Sequence, residues 1–204
     1  MQSQTGVHVL NKVIAATNNP GKLREFRGIL EPLGFEVISM ADADIHSDPE
    51  ETGTTFMENA RIKAFSVAKL AGIPALADDS GLCVDALNGE PGIYSARFGG
   101  DISQPEKNAL LLSRLDGIHK EKRTARFVSA ICLAYPDGSS VEAEGTCEGS
   151  ILEAPQGTNG FGYDPIFADR QGRSFGEMPA EEKNRISHRA VALARLASRL
   201  KQQR

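Results

Sequence analysis

The first eighty residues alternate short apolar runs with segments of helical periodicity, and this alternation limits the possible folds more than any other feature of the chain. Residues 13–16 (VIAA) predict a buried strand that ends in a polar turn. Leu23, Phe26 and Leu30 then recur at helical spacing, and residues 35–38 (FEVI) predict a second strand. Strands that alternate with helices indicate an α/β fold.

A second helix has a defined beginning and end. Thr55 and Glu58 form a capping-box pair, and small and apolar residues continue at helical spacing until Gly72. Residues 75–77 (ALA) predict a short buried strand that ends abruptly at residues 78–81 (DDSG). This segment therefore predicts a helix followed by a strand with carboxylates at its end.

The second half of the chain adds a hairpin and a glycine-rich loop. Residues 126–135 and 141–146 flank the turn 136–139 (PDGS), which predicts a β-hairpin. Residues 105–115 have helical character, and the loop 157–165 precedes a C-terminal helix. Together with the first half, this pattern predicts an α/β fold with a mixed sheet.

Composition favours an ordinary soluble enzyme. With 204 residues, 40% of them hydrophobic, and no repeat or linker, we expect a single domain over residues 1–204, with 1–11 as a loose leader. No signal peptide or membrane-spanning stretch is visible, and the formal net charge of −4 argues against a nucleic-acid partner. Residues 36–58 are acidic and the last twenty residues basic, which suits a metal-bound polyanion, although each run can also be a solvated face.

The three cysteines indicate the compartment. Cys83, Cys132 and Cys147 form no CxxC pair, which is typical of a reducing compartment and favours a cytoplasmic protein. Cys83 as a catalytic thiol is the alternative. Nearby carboxylates would raise the pKa of that thiol, so we disfavour it.

The first turn has the layout of a phosphate-binding loop. A strand, the sequence NNPGK and a helix place a glycine, the free N–H groups of a helix N-terminus and Lys22 close together. It is not a Walker A loop, because Leu23 stands where Ser or Thr would hold Mg²⁺. An ordinary turn with a helix cap explains the same residues.

Two pairs of carboxylates flank the second helix. Glu50 and Glu51 precede it, Asp78 and Asp79 follow it, and Lys63 lies on it. A strand–helix–strand unit brings such ends together, and carboxylate oxygens are the ligands that Mg²⁺ takes when it also holds phosphate. Acidic residues are also common in turns, so either pair alone is weak support.

The glycine-rich loop and the last helix suggest base recognition. Phe161 and Tyr163 alternate with glycines and could stack on a base, with Asp164 accepting from its N–H groups. His188 and Arg189 supply donors for carbonyl oxygens. The alternatives are core aromatics at a hairpin tip and an ordinary polar helix turn.

Six blocks of sequence, in this order, resemble the inosine/xanthosine triphosphate pyrophosphatases. They are ATNNPGK (16–22), EETGTTFMENA (50–60), ADDSGL (77–82), PGIYSAR (91–97), GFGYDPIF (160–167) and EKNRISHR (182–189). The resemblance implies a homodimer with a long mixed sheet, flanking helices and two lobes around a nucleotide cleft. It implies Mg²⁺-dependent hydrolysis of deaminated purine nucleoside triphosphates (ITP, dITP, XTP) to the monophosphate and pyrophosphate.

The resemblance also implies roles for residues. Asp79 would be the general base and a Mg²⁺ ligand, with Glu51 or Glu50 supporting the metal. The substrate would be held by these residues: Thr17, Asn18, Asn19, Pro20, Gly21, Lys22, Lys63, Ser80, Phe161, Gly162, Tyr163, Asp164, Lys183, His188 and Arg189.

These roles predict a break in the C-terminal helix. In an unbroken helix Lys183 and Arg189, six residues apart, lie on opposite sides, yet both must face one nucleotide. Ser187 is a good N-cap candidate. A break there places His188 and Arg189 at a helix N-terminus, which is unfavourable for cations, so we expect the bound nucleotide to compensate.

Two other functions fit some of these features. One is a general nucleoside triphosphate pyrophosphatase that acts on ordinary or modified pyrimidine nucleotides. The other is a nucleotide sensor or RNA-binding module, which the acidic balance and the metal-ready carboxylates disfavour.

Overall fold

A six-stranded mixed sheet organises residues 11–202, the part of the chain that the computed structural model describes. The strand order is β2-β1-β3-β4-β5-β6. In chain order the strands are β1 (Asn11–Ala15), β2 (Phe35–Ser39), β3 (Ala75–Val84), β4 (Thr124–Ala134), β5 (Ser140–Ile151) and β6 (Phe167–Asp169). The helices are α1 (Pro20–Leu30), α2 (Phe56–Ala71), α3 (Gln104–Arg114), α4 (Ala180–Ile186) and α5 (His188–Gln202).

The sheet is parallel at one end and antiparallel at the other. Strand β1 pairs in parallel with β2 and β3, whereas β3, β4, β5 and β6 pair antiparallel in succession. Helix α2 packs on β3 and β4, and α5 packs on β4 and β5. The predicted α/β fold with a mixed sheet and flanking helices is confirmed. The predicted hairpin is confirmed as well, with strands longer than the apolar pattern indicated.

The predicted end of the third strand is wrong. Residues 78–81 do not terminate β3 but continue it to Val84, in unbroken antiparallel register with β4. The pairing of Asp79 with Ala130 and of Ser80 with Ser129 shows how the polar residues enter the ladder. The backbone hydrogen bonds to β4 and the ion pairs of the carboxylates outweigh the low strand propensity of this sequence.

Local signals fixed both ends of the important helices. Helix α1 begins after Asn19, whose side chain accepts from Gly21 N at 2.8 Å, and α2 has the predicted capping box. The C-terminal helix is broken at Ser187, which is extended (ψ 158°), and the Ser187 hydroxyl accepts from Ala190 N at 3.2 Å. The predicted break and its N-cap are confirmed.

The core lies on both faces of the sheet. Phe26 and Leu30 of α1 are buried against Leu193 and Leu196 of α5, as the apolar stripe on α1 predicted. The predicted leader falls almost entirely outside the described residues, and Asn11 begins β1. Within residues 11–202, the helices are too short or too polar to span a bilayer.

Candidate active site

Two adjoining cavities form one cleft along the ends of β1 and β3. The first has a volume of about 440 Å³ and the second about 330 Å³. Asn19, Lys22 and Ala96 line both. An elongated ligand can therefore pass from one cavity to the other over the loop that precedes α1.

The first cavity contains the predicted phosphate-binding loop. Thr17, Asn18, Asn19 and Lys22 line it. The N–H groups that the sequence left free for phosphate are in part already used, because the Asn19 side chain accepts from Gly21 N and, at 3.2 Å, from Lys22 N. The loop is thus held in shape by its own cap.

A three-residue ionic cluster stands on the α2 side of this cavity. Lys63 Nζ donates to Asp79 Oδ1 at 2.7 Å and to Glu51 Oε1 at 2.9 Å. Asn59, one helical turn earlier on α2, donates to Asp79 Oδ2 at 3.4 Å. The prediction that carboxylates from both sides of α2 meet is confirmed for Glu51 and Asp79.

The pKa values of this cluster have opposing causes. Burial raises the pKa of Asp79, and the Lys63 charge opposes this rise only in part. Burial also acts on Glu51, but there the hydrogen bond and charge of Lys63 outweigh it and lower the pKa. Asp79 is therefore the more basic of the two carboxylates.

Asp78 does not join this cluster. Successive side chains of a strand point to opposite faces of the sheet, so Asp79 faces α2 while Asp78 faces α1 and α5. Asp78 is 2% exposed and pairs with Lys22 at 2.9 Å and with Arg189 at 3.0 Å. Burial alone would raise the pKa of Asp78, but these two cations hold it well below its usual range.

The donor set suits a cation that shares its coordination with a substrate. Among residues 11–202 no group of three or more His, Cys, Asp or Glu side chains is arranged to enclose a metal. Mg²⁺ typically takes only one or two carboxylates and completes its shell with phosphate and water. Glu51 and Asp79 fit that requirement, whereas Glu50 is exposed.

The second cavity is formed by the glycine-rich loop, α4 and the start of α5. Phe161, Gly162, Tyr163 and Asp164 all line it. The half-buried Phe161 ring sits directly on the phosphate-binding loop, where a Cβ at position 21 would lie 2.6 Å from the ring. A glycine is therefore required at that contact.

Tyr163 and Asp164 have structural partners. Tyr163 is 5% exposed, belongs to the core and donates its hydroxyl hydrogen to Ser95 O at 2.9 Å. Asp164 accepts from Phe161 N at 2.8 Å and from Lys183 Nζ at 2.5 Å, so these acceptor positions are already occupied. Burial raises the pKa of Asp164 against the lowering effect of Lys183.

A chain of buried ion pairs connects the two cavities. Lys183 joins Asp164 to Glu25, whose other oxygen accepts from Arg189. Arg189 also donates to Asp78, which pairs with Lys22 in the first cavity. Charges of alternating sign thus run from the glycine-rich loop to the phosphate-binding loop.

This chain corrects the expectation for the start of α5. Arg189 is 1% exposed, and its compensating anions are Glu25 and Asp78 of the protein itself, not a bound nucleotide. His188 is stacked on Phe127 with ring centroids 4.7 Å apart. Burial and the Arg189 charge hold the pKa of His188 well below its usual value, so His188 is neutral.

Two buried nitrogen atoms at this end lack a hydrogen-bond partner within the described chain. They are His188 Nδ1 and Arg189 Nε, and both residues line the second cavity. Unpaired buried polar atoms are costly and uncommon in native proteins. Ser80 also lines this cavity, and its hydroxyl is shared between Asp78 and Arg189.

Sequence reasoning missed two residues and left a third without a role. Glu25 occupies the buried face of α1 with Gly21, and a charged residue at that spacing on a buried face was the available signal. Ser129, which donates to Asp78 across the sheet, had no sequence signal. Arg97 lines the first cavity.

Comparisons with known proteins agree with this geometry. The model of the Ham1 family matches residues 13–199. A dITP/XTP pyrophosphatase of Thermus thermophilus is 54% identical over 186 residues, 91% of this chain and 89% of that protein. A HAM1 protein from Coxiella burnetii superposes with a TM-score of 0.83 at 39% identity, over 95% of this chain and all of that one.

A third relative extends the comparison to an experimental structure with a named activity. The nucleoside-triphosphatase / dITP/XTP pyrophosphatase of Mycobacterium abscessus has a TM-score of 0.71 and 46% identity, over 91% of this chain and 98% of that one. Both the sequence match and the shared architecture cover nearly the whole described region. The chain belongs to the Ham1 family.

Proposed function

We propose that the protein hydrolyses deaminated purine nucleoside triphosphates, ITP, dITP and XTP, to the nucleoside monophosphate and pyrophosphate. The observation that carries this proposal is the continuous cleft, which has cations beside Asp79 at one end and a donor-rich aromatic pocket at the other. Its dimensions and polarity suit a nucleotide whose phosphates occupy the first cavity and whose base occupies the second. The names of the relatives support the same substrate class.

Hydrolysis at the α-phosphorus accounts for the arrangement around Asp79. Asp79 accepts a proton from a water molecule whose oxygen attacks the α-phosphorus, and burial makes this carboxylate more basic. The bond to the oxygen that bridges the α- and β-phosphates breaks, and its electron pair leaves with pyrophosphate. Lys22 and Lys63 offset the phosphate charge, and Lys63 holds Asp79 in place.

Mg²⁺ is the proposed cofactor, with Asp79 and Glu51 as its protein ligands and Glu50 as the alternative to Glu51. When bound, it would neutralise charge on the phosphates. The pairing of both carboxylates with one lysine supports Glu51 over the exposed Glu50.

Selection of the base follows from the donors in the second cavity. Arg189 Nε and His188 Nδ1 are buried and unpaired, and a purine with a 6-keto oxygen offers an acceptor to such a site. Adenine presents an amino group at that position, which would leave a cationic donor unpaired. Mismatches of this kind cost about 10⁴-fold or more in specificity.

The decisive experiment compares turnover of ITP, XTP, ATP, GTP and dTTP with Mg²⁺ and, in parallel, with EDTA. We expect hydrolysis of ITP and XTP to exceed that of the others and EDTA to abolish it. In water labelled with oxygen-18, the label should appear in the monophosphate, because attack is at the α-phosphorus. Label in pyrophosphate, or release of inorganic phosphate, would contradict the proposed bond.

The same panel tests the alternatives. Preferred turnover of dTTP or another pyrimidine nucleotide would identify a general nucleoside triphosphate pyrophosphatase. Tight binding of ITP without release of pyrophosphate would identify a nucleotide sensor.

We further propose a single domain that forms a homodimer in the cytoplasm, without a nucleic-acid or membrane partner. The three cysteines are free, as expected in a reducing compartment, and the dimer rests on the family resemblance. Light scattering coupled to size-exclusion chromatography would measure the mass, and a mass of about 22 kDa would contradict the dimer.

A further inference from the structure

The turn at residues 91–97 lies directly against the strand that carries Asp79. The Ser95 hydroxyl accepts from Leu82 N at 2.9 Å and donates to Gly92 O at 2.6 Å. At Gly81 an added Cβ would lie 2.2 Å from Gly92 O, so only glycine permits this approach. The position of the turn relative to β3 is therefore fixed.

Two further contacts hold the backbone just before Arg97. The Tyr163 hydroxyl donates to Ser95 O at 2.9 Å, and Lys107 Nζ donates to Ala96 O at 2.5 Å. Arg97 N in turn donates to Tyr94 O at 2.9 Å. A long side chain thus begins from a rigid point at the junction of the two cavities.

The Arg97 side chain extends into the first cavity and is only loosely engaged. Its nearest carboxylate oxygen is Glu51 Oε2, 3.7 Å away, which is too long for a direct hydrogen bond. Its guanidinium carbon lies 5.7 Å from the centre of the Tyr94 ring, within the range of a cation–π contact. The side chain is 52% exposed.

The other two cations that line the first cavity are held more closely. Lys22 pairs with Asp78 at 2.9 Å, and Lys63 pairs with Asp79 at 2.7 Å. Their side chains are 16% and 17% exposed. Within the described lining of this cavity, Arg97 is therefore the cation most available to a ligand.

We infer that Arg97 binds the β- and γ-phosphates, the part of the substrate that leaves as pyrophosphate. This inference rests on the proposed function and adds a substrate-binding residue to it. A guanidinium presents paired donors that match two phosphate oxygens at once. When Glu51 engages a metal ion, its hold on Arg97 is weakened further.

The position of Arg97 selects these phosphates over the rest of the nucleotide. Arg97 lines the first cavity but not the second, where the base is proposed to lie. The α-phosphate must lie near Lys22, which is common to both cavities. The remaining two phosphates then extend toward Lys63 and Arg97.

The test is calorimetric titration of the wild type, R97Q and R97K with inorganic pyrophosphate and, separately, with inosine monophosphate, both with Mg²⁺. Loss of one charge-assisted pair should weaken pyrophosphate binding by roughly tenfold to hundredfold in R97Q. R97K should recover part of that loss, and binding of the monophosphate should change less than twofold. Thermal unfolding would verify that each variant is folded.

Arg114 provides the matched control. Like Arg97 it is half exposed, pairs with one carboxylate, Glu90, and lies over one aromatic ring, Phe98. R114Q should bind both ligands as the wild type does.

Three results would overturn the inference: unchanged pyrophosphate binding in R97Q, an equal loss for both ligands, or absence of pyrophosphate binding by the wild type. Failure of the proposed function is a separate result, namely a wild type that binds pyrophosphate but does not hydrolyse ITP. In that case the titrations still decide the role of Arg97.

Discussion

The two ends of the cleft handle charge differently. At the base end Lys183 and Arg189 are 4% and 1% exposed, and both are bound to buried carboxylates. At the phosphate end Glu51 and Arg97 are 27% and 52% exposed, and their mutual contact is long. The base end is thus preorganised by permanent partners, whereas the phosphate end holds charges that can exchange partners when a substrate and a metal ion arrive.

The largest effect should come from removing the central charge of the base end. In E25Q, Lys183 and Arg189 lose their shared carboxylate while buried, and breaking such pairs costs about 3–5 kcal/mol. E51Q, at the phosphate end, should change the free energy of unfolding by about 1 kcal/mol or less. Urea denaturation measures both, and equal losses would remove the contrast between the two ends.

The next largest effect concerns turnover. D79N should lower kcat by at least about 10²-fold, because it removes the proposed base and a metal ligand together. Its fold should persist, since Asn59 and Lys63 can still bind an amide oxygen. D85N, just beyond the end of the same strand, is the control. Steady-state kinetics with ITP within a few-fold of wild type for D79N would refute the assignment of the base.

A smaller effect concerns pH. The pKa of His188 is well below its usual value in the folded state, so between pH 6.5 and that value only the unfolded chain binds the proton. Stability is then lost as pH falls, by up to about 1.4 kcal/mol per pH unit. Unfolding at pH 7 and pH 5 should show a smaller loss in H188F, which keeps the ring contact with Phe127. H119Q, at an exposed histidine, should behave as the wild type.

The smallest effect concerns the break between α4 and α5. Ser187 caps α5 through its hydroxyl, and loss of an N-cap costs about 1 kcal/mol. S187A should lower the free energy of unfolding by that amount, while S113A, at an exposed serine, should not. Equal values for the two variants would show that the break does not depend on this cap.

Much of the site followed from local signals. The turn before α1, the capping box of α2 and the break at Ser187 each depend on residues within a few positions of one another. The resemblance then gathered these segments into one cleft. The roles of the individual residues in catalysis and binding stay predictions.

What the sequence could not supply depends on distant partners. Strand β3 continues through Asp78 and Asp79 because β4, about fifty residues later, completes its hydrogen bonds. The buried Glu25 is stable only beside Lys183 and Arg189, more than 150 residues away. No local pattern encodes such contacts.

The contact between Gly21 and Phe161 has a consequence for altering substrate preference. The aromatic ring proposed to support the base rests on the backbone of the loop proposed to hold the phosphates, 140 positions away in the chain. A smaller or larger residue at position 161 would therefore change the support of that loop as well as the shape of the base pocket. Base preference and phosphate positioning are mechanically joined, so they cannot be redesigned as separate modules.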